Sequence, residues 1–177
     1  MAVFRENKVL VLGVGNDILM DDGIGPKLVN RLKDDFSVDQ INFSTLNLGG
    51  LEILEFIKDY DEVIIVDAIK TRTGNPGDVY MLTPDDFSET CHLSSFHDVS
   101  FLTALRLGEK IGYKLPKSIL IIAIEIIEDT CFGKDFSKPL QDCYERIYSE
   151  VKSVLLPVFE KKSSLEDILI PSFENGK

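Results

Sequence analysis

Three apolar stretches of strand length dominate this sequence: KVLVLGV (Lys8–Val14), EVIIVDA (Glu62–Ala68) and SILIIAI (Ser118–Ile124). They run apolar almost from end to end instead of alternating, so side chains on both faces need cover. Strands of that kind sit inside parallel sheets flanked by helices. The segments between them supply the helices. Ile24, Leu28, Val29 and Leu32 recur at helical spacing, and Pro26 suits a first turn, where its missing N–H costs nothing. The helix therefore begins near Gly23–Gly25. Leu51, Ile53, Leu54 and Ile57 form a second helix after the break at Gly49–Gly50. A third spans Asp98–Ile111, with Val99, Leu102, Leu105 and Leu107 among its apolar residues. Ser137 caps a long final helix that carries Leu140, Tyr144, Ile147, Val151 and Leu155 along one face. Ile41–Leu48 and the short Val79–Leu82 read as further strands, Lys70–Asp78 as a loop and Asp85–His97 as irregular. The expected fold class is α/β: a three-layer α/β/α domain whose mostly parallel central sheet has about five strands, with helices on both faces.

At 177 residues and 44% hydrophobic content the chain is sized for one domain with a real core. That domain is expected over residues 1–160, with 161–177 a tail that packs loosely or frays. The net charge of −11 repels phosphate backbones, which argues against nucleic acid as a partner. No stretch reaches the ~18 apolar residues of a membrane span, and the apolar run at the N-terminus is too short for a signal peptide. The cysteines, Cys91, Cys131 and Cys143, are odd in number and fit no zinc spacing. A disulfide framework is not expected, and a reducing cytoplasm is the natural setting.

Ligands of such sheets bind beyond the carboxyl ends of the strands. Asn16, Asp21 and Asp22 follow the first strand there, Asp67 ends the third, and His97 lies in the loop entering the third helix. In LGVGNDILMDDGIGP (Leu12–Pro26), Gly13 and Gly15 suggest a dinucleotide fingerprint, but Ile18 stands at the third glycine position. The helix also starts too late, no P-loop lysine follows, and Asp21 and Asp22 would face the phosphates. The cation reading fits better. Asp22, Asp67 and His97 come from separate loops at one end of the sheet and form an O,O,N donor set suited to zinc, nickel, manganese or iron. Asp21 or Asp22 alone reads most simply as a solvated cap. Asp67 does not, because a carboxylate ending a buried strand needs a partner or a task. Cys91–His92 lacks a completing pair, and a triad of His97 with Ser94, Ser95 or Ser100 lacks a nucleophile elbow.

The segment Gly13–Gly25 (GVGNDILMDDGIG) resembles the opening motif of the hydrogenase maturation endopeptidases, G-x-G-N followed by D-(E/D)-G-x-G. Gly49–Gly50, Ile64–Ala68 (IIVDA), Gly74–Gly77 (GNPG) and Ser94–Leu105 (SSFHDVSFLTAL) continue the resemblance in the same order, over roughly residues 8 to 155. The resemblance implies a nickel-dependent peptidase that removes the C-terminal extension of a nickel–iron hydrogenase large-subunit precursor after nickel insertion. It also implies that Asp22, Asp67 and His97 are the metal-contacting and catalytic residues. Nickel would be carried by the substrate, other divalent metals could occupy the same site, and the enzyme would act as a monomer or weak oligomer. Asp22 stands where some members have Glu. The readings kept open beside it are a germination-protease-like metallopeptidase with another substrate, a protein that holds the precursor without cutting it, and a nucleotide-binding protein.

Overall fold

The computed structural model describes residues 8–36, 41–47, 50–86 and 101–168. Strands β1 (Val9–Val14), β2 (Ile41–Leu46), β3 (Glu62–Ile69), β4 (Val79–Leu82) and β5 (Ser118–Glu125) form one sheet in the order β2-β1-β3-β5-β4. β2, β1, β3 and β5 run parallel, and β4 closes the edge antiparallel to β5. The helices are α1 (Ile24–Asp35), α2 (Ile53–Ile57), α3 (Phe101–Lys110) and α4 (Lys138–Ile168).

The apolar strands are buried on both faces because successive side chains point to opposite layers. Val9 and Val11 of β1 pack with α1 and α4, through Ile24, Leu28, Leu32, Ile147 and Val151. Leu10 and Leu12 of the same strand pack with α2 and α3, through Ile53, Leu54, Ile57 and Ala104. Each such side chain contributes about 1.5–3 kcal/mol by leaving water, so the two cores together lock the sheet between its helix layers. Right-handed crossovers require this division. The chain moves from β1 to β2 over one face through α1. It then returns past β1 to β3 over the other face through α2. Between β1 and β3 the connections leave in opposite directions, and that divergence opens a crevice at the carboxyl ends of these two strands.

β2 stops at Leu46, and α4 runs through Pro157 to Ile168. A proline inside a helix removes a hydrogen bond and normally breaks it. Here the Pro157 ring is exposed, and Leu155 and Phe159 on either side are buried in the core, so packing carries the helix through. Cys91, His92, Ser94, Ser95, His97, Ser100 and the expected start of α3 at Asp98 lie outside the described residues. Among the described residues, no helix is long and apolar enough to cross a membrane.

Candidate active site

The glycines of the first motif act sterically. Gly15 follows β1 with φ +137°, and a Cβ there would lie 2.1 Å from the Asp22 carbonyl oxygen. Only glycine lets the chain fold back on itself so closely. Gly25 opens α1, and its missing Cβ would lie 2.4 Å from the carbonyl oxygens of both Val14 and Val66. The first turn of α1 is therefore seated directly on the ends of β1 and β3, over the crevice. Asn16 shapes the loop between: its Oδ1 accepts from the Ile18 N–H at 3.2 Å, and its own N–H donates to the Asp22 carboxylate at 2.8 Å.

The adjacent aspartates have different environments. Asp21 is fully buried and accepts from the N–H of Ser137 at 2.6 Å, the Ser137 hydroxyl at 2.7 Å and the Glu128 N–H at 3.2 Å. Asp22 is half-buried and close enough to Asp67 for its charge to act there. Ser137 does lie beside the start of α4, as a cap would, but its hydroxyl is given to Asp21.

Asp67 ends the apolar part of β3, half-buried, with Oδ1 accepting from the Ala68 N–H at 2.8 Å. Burial pushes its carboxyl up from 3.8 to about 7; the Ala68 N–H opposes the rise and the Asp22 charge adds to it. Two carboxylates that repel each other relax by sharing a proton or by admitting a cation. Asp22 and Asp67 therefore fit as two oxygen donors of a divalent metal site. Among the described residues, no group of three or more His, Cys, Asp or Glu side chains is placed to hold a metal. The expected third donor, His97, lies outside them.

One carboxylate near this end of the sheet escaped the sequence reading. Glu125 closes β5 as Asp67 closes the apolar part of β3, and it is buried. It accepts from the Thr71 N–H at 2.7 Å and the Thr71 hydroxyl at 3.0 Å, bracing the loop after β3. A Cβ on Gly74 would meet Glu125 Oε2 at 2.2 Å, which explains the glycine that opens GNPG. Lys70 and Asp129, paired at 2.9 Å, tie the same loop to the one after β5.

The family profile of HycI, hydrogenase maturation protease, matches residues 26–154, most of the chain. This chain belongs to the hydrogenase maturation protease family. The matched span includes Asp67 and position 97 and begins four residues after Asp22. This protease is 32% identical over 123 residues to the hydrogenase 2 maturation protease of Escherichia coli, covering 66% of this chain and 72% of that one. It is 23% identical over 141 residues to the hydrogenase expression/formation protein HupD of Bradyrhizobium diazoefficiens, covering 78% and 72% respectively. The solved hydrogenase maturating endopeptidase HybD from E. coli superposes with a TM-score of 0.65 at 22% identity, over 85% of this protease and 93% of that chain. The α/β architecture is thus the fold of its family.

Proposed function

We propose that this protease removes the C-terminal extension of a nickel–iron hydrogenase large-subunit precursor, and acts once nickel is in that precursor. The observation that carries this reading is the Asp22–Asp67 pair at the β1/β3 crevice. The two carboxylates offer anionic oxygens to a cation, and no cysteine stands with them among the described residues to hold a permanent one. Such a site suits a metal that arrives already held by its client. The bound metal supplies Lewis-acid polarisation of the scissile carbonyl. Asp22 and Asp67, with His97, orient the client around it. In the metal-free site burial raises the Asp67 carboxyl to about 7; with the metal bound, Asp67 serves as an anionic oxygen donor. We place the reaction in the cytoplasm, the reducing setting suggested by three cysteines at spacings that form no disulfide framework.

The test is to incubate the purified protease with its precursor, nickel-loaded or nickel-free, and record intact masses. Loss of a short C-terminal peptide from the loaded precursor alone is expected. Cleavage of both forms would mean a self-sufficient peptidase, and cleavage of neither a binding protein. His97→Ala is expected to reduce cleavage by about 100-fold or more, as loss of a catalytic group does, with the melting temperature little changed. Wild-type turnover in this variant would remove His97 from the site.

A further inference from the structure

Asp21 is a buried carboxylate that the proposed reaction leaves unused. Its acceptor bonds reach across the fold: Glu128 and Ser137 lie in the connection between β5 and α4, more than a hundred residues along the chain. The Asp21 N–H returns the contact by donating to the Glu128 carbonyl at 3.1 Å. The preceding residues run along the same connection. Gly133 donates to the Ile18 carbonyl at 2.9 Å, Met20 donates to the Gly133 carbonyl at 2.9 Å, and Leu19 bridges Gly133. Lys27, whose ammonium lies near enough to feel the Asp21 charge, donates to the Lys134 carbonyl and stands 4.0 Å over the Phe136 ring.

Within this clamped stretch, Met20 has φ +35°, in the left-handed region that side chains avoid. Such a backbone persists only where its surroundings over-determine it. The residue after the clamp is Asp22, whose direction depends on the backbone that Asp21 fixes.

We propose that Asp21 is a positioning residue of the reaction: its buried carboxylate, latched to Glu128 and Ser137, holds the strained Met20 turn in the shape that presents Asp22 to Asp67. The inference rests on the proposed role of that pair. In Asp21→Asn the amide keeps the volume, but its NH₂ cannot accept, so one backbone donor loses its partner. Charge-assisted hydrogen bonds are the strong ones, and the turn loosens where it leads into Asp22.

The first readout is amide hydrogen exchange at Asn16, whose N–H is held by the Asp22 carboxylate. Asp21→Asn should accelerate Asn16 exchange about tenfold or more, as a lost charged bond does, towards the rate in Asp22→Ala. The Val11 and Ile64 amides in β1 and β3 should keep their protection. The second readout is turnover on nickel-loaded precursor, where kcat falls about tenfold or more on the same grounds. Ser137→Ala removes only the hydroxyl bond and should give a smaller loss of the same kind; it serves if Asp21→Asn fails to fold. Wild-type protection of Asn16, loss at all three amides together, or loosened Asn16 with unchanged kcat would each overturn the proposal. If the wild-type protein cleaves nothing, the proposed function fails, while Asn16 exchange still decides whether Asp21 positions Asp22.

Discussion

Asp67→Asn is expected to abolish precursor processing while raising the melting temperature of the metal-free protein. The asparagine keeps an oxygen for the Ala68 N–H and nearly the same volume. It loses the charge, and with it the anionic oxygen that the proposed function assigns to metal contact. Processing should fall by about 100-fold or more, the scale on which positioned acid–base groups act. Stability moves the other way. The Asp67 carboxyl is raised from 3.8 to about 7 in the folded protein, so between those values the native state keeps a proton that the unfolded chain has released. Stability conferred by that proton is present at low pH, declines as pH rises through the window, and is gone above about 7. Asparagine has no such dependence. The variant should therefore melt higher than wild type at pH 8, with the difference vanishing near pH 4. Thermal melts across this range, beside the mass assay, test both halves. Undiminished cleavage would take Asp67 out of the reaction, and a variant that melts lower at pH 8 would show the carboxylate to be stabilising.

Gly25→Ala should cost more stability than its single methyl suggests. The new Cβ would lie 2.4 Å from two backbone oxygens, on Val14 and Val66, and neither can swing aside as a side chain could. The first turn of α1 has to lift from the sheet, carrying Asp22 away from Asp67. Overpacking in a tight interior costs typically 1–3 kcal/mol and occasionally more, and a clash with two strands at once belongs at about 3 kcal/mol or above. For a chain of this size that lowers the melting temperature by roughly 6–12 °C. Processing should fall with it, even under conditions where the variant is fully folded. Denaturation curves and the mass assay at low temperature separate the two effects. A variant as stable as wild type would mean that α1 sits on the sheet less closely than described.

The fold was legible wherever burial on two faces forced continuous apolar runs, as in β1, β3 and β5. The edge strands were legible as strands, but not in their order or direction. β2 alternates polar Asn42 and Ser44 with apolar neighbours, and nothing in VYML shows that β4 runs against the rest of the sheet. The end of α4 was not legible, because residues 161–177 read as a short mixed tail while the helix continues to Ile168. At the site, Asp67 was legible as a carboxylate where a buried run ends. Glu125 carries the same signature and serves as a brace for Thr71, so the signature by itself does not separate chemistry from support. Asp22 was singled out from its neighbour Asp21, but the task of Asp21 was not legible. Their difference depends on Glu128 and Ser137, which no local pattern connects to them.

The seating of Gly25 against Val66 also sets an order of events. The residues that carry Asp22 leave the ribosome early, before β2 and β3, the strands that pair with β1, have been made. The cleft is not yet there. One of the two oxygens beneath Gly25 belongs to β3, and so does Asp67. A half-made chain has the motif without the carboxylate pair. The candidate site is assembled only when β3 takes its place beside β1, so an incomplete copy carries the loop but not the pair.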